Sequence, residues 1–218
     1  EQFGLRGAGQ CLAIVDKGID RFNPLFSKTQ DNKQKIVYRM AHDVDELYTG
    51  DHGTYVAGIA VGNPKCSKYI SKYSGIAPES TLFDANIFNS VINQTVLPTE
   101  LSTMYSVFES ANCSTSLNAW TIDSPHLTSA LDLMLFNRRN LLAIFPESYN
   151  GYRLQSPTDA NNILTVGEVP GLKTSLLFNE TDIPVRIIRD SKTAPLIGWI
   201  DQDRKSTRLN SSHSQISY

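Results

Sequence analysis

The sequence predicts an α/β fold: three layers, with a central and mostly parallel sheet flanked by helices, and incomplete. Three observations predict it. Residues 11–15 (CLAIV) and 141–145 (LLAIF) are short, unbroken apolar runs, as expected of strands buried on both faces. Segments with apolar residues at helical spacing lie between such runs, and that alternation builds βαβ units on a parallel sheet. The first run ends in Asp16-Lys17-Gly18, and the carboxyl ends of parallel strands are where open α/β sheets gather their chemistry.

The elements follow in order. After the first strand, residues 23–35 are polar and loop-like, and residues 35–40 read as the second strand. Asp51-His52-Gly53-Thr54-Tyr55-Val56-Ala57-Gly58-Ile59-Ala60 reads as a slim helix, with Thr54, Val56, Ala57, Gly58 and Ala60 able to bury on several sides and His52 at its N-terminus. Its two glycines cost about 1 kcal/mol each against alanine, which makes sense if another part of the chain passes very close to the helix start. Residues 62–74 are a polar loop and residues 81–88 the next strand. Pro98 opens a helix with Leu101, Met104, Tyr105 and Phe108 on one face. A strand over 114–119 follows, then a helix opened by Ser124-Pro125 with Leu127, Ala130, Leu131, Met134 and Leu135 on one stripe. From 171 to 202 short strand-like runs alternate with polar turns, the expected start of a β-rich insertion.

Bulk properties exclude several classes of function. The chain is 40% hydrophobic and 19% charged, which argues for a packed domain over a disordered one. A net charge of −2 gives no electrostatic case for nucleic acid as a partner. No apolar run is long enough to span a bilayer. The chain opens on Glu1, so the lack of a visible signal peptide carries no weight and the compartment stays unknown. Cys11 reads as a small buried hydrophobe, and Cys11, Cys66 and Cys113 show no zinc spacing. Asn93-Gln94-Thr95, Asn112-Cys113-Ser114 and Asn179-Glu180-Thr181 are glycosylation triplets that lean toward a secreted or lumenal protein.

Asp16-x-Gly18 after a buried strand, followed by His52-Gly53-Thr54-x-Val56-Ala57-Gly58, resembles the subtilisin-like serine proteases, the subtilase or peptidase S8 family. Three further stretches are similar to that family: Gly7-Ala8-Gly9-Gln10 before the first strand, Gly75-Ile76-Ala77-Pro78 with Leu82 entering the next, and Asn161-Asn162-Ile163-Leu164-Thr165-Val166-Gly167. The resemblance covers residues 1–170 and implies a partial peptidase domain there, acting on a polypeptide substrate through an Asp-His-Ser triad. By resemblance Asp16 is the triad aspartate and His52 the triad histidine, while Asp20 and Asp51 are structural caps or solvated charges. No cofactor is implied. Structural calcium occurs in the family, but no residue here is assigned to it. A metal site from Asp16, Asp20, Asp51 and His52 has no supporting Cys/His spacing.

The departures are specific. Lys17 stands where the family has Thr or Ser, able either to compete for the aspartate's charge or to point into solvent. Aligned on Gly151, Tyr149 takes the place of the oxyanion asparagine and Asn150 lies one residue off. Asn118-Ala119-Trp120-Thr121 replaces the Asn-Ser-Trp-Gly of a substrate-lining strand. The family's Gly-Thr-Ser-x-Ala-x-Pro motif does not occur, so Asp and His are present and the serine is missing. Residues 203–218 can be back-translated into the string of a ligated sequencing adaptor and read as non-native, which makes Ser206, Ser211 and Ser212 poor substitutes. Without Asp203, Arg204, Lys205 and Arg208, the 20 cations and 22 anions become 17 and 21. Two readings follow: a fragment of a serine endopeptidase, itself inactive, or a pseudoprotease whose fold serves as a binding or scaffolding module.

Overall fold

A computed structural model describes residues 4–29, 32–41, 50–64, 74–98, 100–122, 124–150 and 153–167. The expected insertion over 171–202 and the tail over 203–218 lie outside the described residues. The strands are β1 (Cys11–Asp16), β2 (Ile36–Ala41), β3 (Thr81–Asn86), β4 (Phe88–Asn89), β5 (Gln94–Thr95), β6 (Thr115–Asn118), β7 (Leu142–Pro146), β8 (Tyr149–Asn150), β9 (Arg153–Leu154) and β10 (Leu164–Val166). The helices are α1 (Asp51–Val61), α2 (Leu101–Ser110) and α3 (Pro125–Phe136). A six-stranded sheet has the order β10-β7-β6-β1-β3-β2, and the β1–β3, β1–β6, β2–β3 and β6–β7 pairings are all parallel. The predicted fold class is thus the observed one.

The chain divides into two compact units, the first holding residues 1–120 and 137–144, the second 121–136 and 145 onward. In the first unit β1 is central, and it is buried because both its faces are covered. Leu12 and Ile14 face the cluster in which Leu82 of β3 and Leu117 of β6 meet Ala57 and Val61 of α1. On the alternate positions, Phe83 of β3 packs edge-on against Phe108 of α2 at 4.9 Å, and Phe108 meets Tyr105 at 5.2 Å. The four α2 residues read as one apolar face, Leu101, Met104, Tyr105 and Phe108, are the buried ones. Cys11 is buried but not a free hydrophobe: it is disulfide-bonded to Cys113, 102 residues along the chain. A crosslink closing a loop of that length is worth about 4–5 kcal/mol in the chain-entropy account. Lys35, read as the start of the second strand, is instead fully buried before it, its Nζ donating to the carbonyls of Pro78 and Ser80 at 2.8 Å.

In the second unit, α3 buries Leu127, Leu131, Met134 and Leu135, while Ala130, expected on the same stripe, is exposed. Asp132 of α3 fixes the start of the β10 segment. Its carboxylate accepts the backbone N–H of Asn161 and of Asn162 and the side-chain amide of Asn161, at 2.5–3.0 Å. The asparagines of the Asn-x-Ile-x-Thr-Val stretch therefore precede the strand, which begins at Leu164.

Candidate active site

Asp16 ends β1 with its side chain only 3% exposed. Parallel pairing sets it beside Asn86 at the end of β3, so it stands at the carboxyl rim of the sheet. The chain turns immediately at Gly18, whose φ of 84° suits glycine. This turn is tied to the start of α1 by two hydrogen bonds, the second through a side-chain hydroxyl. The Gly50 N–H donates to the Lys17 carbonyl at 3.0 Å. The Asp20 N–H donates to the Thr54 hydroxyl at 3.0 Å, and that hydroxyl donates to the Gly50 carbonyl at 2.9 Å. Gly53 lies so close that a Cβ there would fall 2.3 Å from the Gly18 carbonyl oxygen and 3.2 Å from the Asp16 Cβ. Only a hydrogen at this position lets the helix start approach the end of the strand. The expectation for two glycines holds for Gly53 and fails for Gly58, where a Cβ would meet nothing nearer than Leu25 Cδ1 at 4.0 Å. Burial of α1 is also one-sided: Gly53, Ala57 and Val61 are buried, whereas Tyr55 and Ile59 are exposed.

The turn brings the two predicted residues together. His52 Nδ1 lies 3.0 Å from Asp16 Oδ1 and 2.9 Å from Oδ2, while the imidazole as a whole is about half exposed. A carboxylate only accepts, so Nδ1 is the nitrogen that carries a proton here, and in the neutral ring Nε2 is then the one with the lone pair. Asp16 Oδ1 also accepts the Lys17 N–H at 2.6 Å, and the Asp16 carbonyl accepts the Ile87 N–H at 2.9 Å. The aspartate is thus fixed from both sides, and the exposed ring carries a basic nitrogen oriented by a buried acid. Lys17 does not contend for that acid: its ammonium sits 4.6 Å from the centre of the Phe88 ring. Asp20 serves its own turn, accepting the Phe22 N–H at 2.9 Å, and Asp51 occupies the first turn of α1, where a negative charge suits the helix dipole. Among the described residues no group of three or more His, Cys, Asp or Glu side chains is arranged to hold a metal.

A second buried carboxyl was not foreseen. Asp84, in the middle of β3, is 1% exposed. Burial pushes its pKa up to about 6, against the pull of Arg39 and of the Ile19 N–H, with the Asp16 charge adding to the rise. The Arg39 Nε is 3.1 Å from Asp84 Oδ2, and the Ile19 N–H reaches the same oxygen at 3.4 Å. A cavity of about 300 Å³, lined in part by Phe22, Phe26, Tyr38, Arg39 and Asp84, lies here. The signal was legible: an aspartate between Phe83 and Ala85 interrupts an apolar strand.

The remaining expected positions are only partly described. β6 ends at Asn118, so Ala119, Trp120 and Thr121 follow the strand rather than forming it. Asn118 is buried, its side-chain amide donating to the Ser116 hydroxyl at 3.0 Å and the Ile144 carbonyl at 3.3 Å. The backbone of Tyr149 and Asn150 pairs with Leu154 and Arg153 in the β8–β9 ribbon. Gly151, the anchor of the oxyanion alignment, lies outside the described residues.

A parallel sheet with a carboxylate–imidazole pair at its carboxyl rim defines the class: a subtilisin-like α/β domain. The chain belongs to the subtilase family, whose model (peptidase S8) matches residues 7–214. It is 30% identical over 126 residues to the serine protease/ABC transporter B family protein tagB of Dictyostelium discoideum, covering 53% of this chain and 7% of that protein. It is 28% identical over 186 residues to the tagD protein of the same organism, covering 75% and 10%. The subtilisin-like protease PopC of Myxococcus xanthus is 31% identical over 107 residues, covering 43% and 19%. Among solved structures, the psychrophilic subtilisin-like protease of the Antarctic Pseudoalteromonas sp. AS-11 superposes with a TM-score of 0.54 at 15% identity, over 72% of this chain and 35% of that one. That likeness speaks for the fold. The chain matches between 7% and 19% of the length of these curated relatives.

Proposed function

We propose that this chain carries the acid–base half of a serine endopeptidase, with Asp16 and His52 as two members of an Asp-His-Ser triad. The observation that carries the reading is the 2.9–3.0 Å contact of His52 Nδ1 with both oxygens of Asp16. It leaves Nε2 exposed and basic, ready to take the proton of a serine hydroxyl as that oxygen attacks a peptide carbonyl. The same nitrogen then returns the proton to the departing amine. Asp16 holds the ring's tautomer and stabilises the imidazolium that forms between these steps. The Gly-Thr-Ser motif that would supply the hydroxyl does not occur in these 218 residues, so the serine comes from another part of the full-length protein. The substrate is a polypeptide chain, in keeping with the family.

The experiment uses the full-length protein with a serine-directed fluorophosphonate probe and a casein substrate. Labelling of one serine, lost in His52→Ala, is the expected result. Absence of both labelling and turnover in folded full-length protein defeats the reading. Such an outcome supports the second one, a pseudoprotease retained as a binding module, which Tyr149 and Thr121 favour because each replaces a residue the chemistry uses. The 218-residue chain by itself is expected to give neither labelling nor turnover.

A further inference from the structure

Of the two glycosylation triplets among the described residues, both opening on an exposed, left-handed asparagine, the one at Asn93 sits on a position built to carry a sugar. β4 and β5 form an antiparallel ribbon in which Phe88 pairs with Thr95 and Asn89 with Gln94, leaving residues 90–93 as the tip. The tip is folded locally: Asn89 Oδ1 accepts the N–H of Val91 at 3.0 Å and of Ile92 at 3.2 Å. Asn93 closes the turn with φ of 53°, a left-handed conformation that asparagine tolerates better than most residues. Its side chain is exposed and engages no partner among the described residues. Beside it Val91 is 75% exposed and Ile92 53% exposed, two apolar side chains at the outermost point of the ribbon. A glycan on the neighbouring residue would lie over these two side chains.

A separate observation concerns the compartment. The Cys11–Cys113 disulfide joins residues 102 positions apart, and such bonds persist in oxidising compartments, the secretory lumen among them. It also sets Asn112 apart from Asn93. Cys113, the middle residue of the second triplet, is buried and bonded to Cys11, and the Ser114 carbonyl is already engaged by the Leu142 N–H. The third triplet, at Asn179, lies outside the described residues.

We propose that Asn93 is an N-glycosylation site whose glycan covers Val91 and Ile92. In the transfer, the Asn93 amide nitrogen attacks C1 of an oligosaccharide carried on a polyprenyl diphosphate. The new C1–N bond replaces the C1–O bond, the amide nitrogen loses a proton, and the polyprenyl diphosphate leaves. No oxidant or reductant is required. The inference is independent of whether the peptidase site is active.

The test is to produce the full-length protein through a eukaryotic secretory pathway and map it by mass spectrometry after peptide-N-glycosidase treatment in ¹⁸O water. The Asn93 peptide is expected to return as labelled aspartate in most molecules, alongside the crosslinked Cys11–Cys113 peptide. Asn93→Gln and Thr95→Ala are each expected to abolish that label, and Asn112→Gln to leave it. An unlabelled Asn93 in secreted, folded protein with the Cys11–Cys113 bond closed overturns the proposal.

Discussion

The carboxyl end of β1 and the middle of β3 each hold a buried aspartate, only two strand positions apart in register, since Ile14 pairs with Asp84 and Asp16 with Asn86. Their surroundings make them different groups. Asp16 meets an imidazole at the rim, where the partner is half exposed. Asp84 meets the guanidinium of Arg39 inside the sheet and has its pKa raised to about 6 because burial outweighs that attraction. On the proposed function the same side chain is a chemical tool at the strand's end and an electrostatic burden in its middle.

Breaking the rim pair has the largest expected effect, and on rate rather than stability. In subtilisin, loss of the triad histidine costs about 2 × 10⁶ in rate and loss of the aspartate about 3 × 10⁴. His52→Ala and Asp16→Ala in the full-length protein should approach those losses, measured as kcat on a peptide substrate. Asp84→Asn should act the other way, on stability and its pH dependence. With a folded pKa of about 6 against 3.8 unfolded, the native state holds the proton more tightly. This group's contribution therefore favours folding below about pH 4 and weakens it by about 3 kcal/mol as pH rises through 6. Urea titrations between pH 4 and 7 should show that slope in the wild-type chain and lose it in Asp84→Asn; an unchanged slope removes Asp84 as its source.

The glycines of α1 sharpen the contrast between a constrained rim and an unconstrained surface. Gly53→Ala forces a methyl to 2.3 Å from a backbone oxygen, and should cost about 1–3 kcal/mol while shifting or erasing the low-field proton signal of His52 Nδ1. Gly58→Ala, five residues on, has room and should stabilise by about 0.4–1 kcal/mol in thermal melts, with that proton signal unmoved.

Much of this was legible in the sequence because it depends on local pattern. The unbroken apolar run before Asp16 marks a strand covered on both faces, and the spacing of Leu101, Met104, Tyr105 and Phe108 marks one helical face. The pairing of Asp16 with His52 came from the resemblance of their two motifs to those of subtilisin-like proteases, and glycine at 53 agrees with it because something crowds the helix start. What escaped depends on partners far along the chain. Nothing near Cys11 announces Cys113, and nothing near Lys35 announces the two carbonyls at 78 and 80 that satisfy its ammonium. Ala130 fits the α3 stripe by spacing yet stays exposed, because an alanine methyl adds too little buried area to set the helix's rotation against four larger side chains.

The place of β1 in the sheet bears on how the polypeptide is made. It leaves the ribosome before either of its sheet neighbours, β3 and β6, which begin at residues 81 and 115. For the time needed to synthesise about a hundred residues, its two edges are not both paired. At about 5–20 residues per second that interval lasts several seconds, long enough for a nascent segment to need shielding from other chains. Chaperone dependence during translation, more than any weakness of the finished domain, should govern how well this protein is obtained in soluble form.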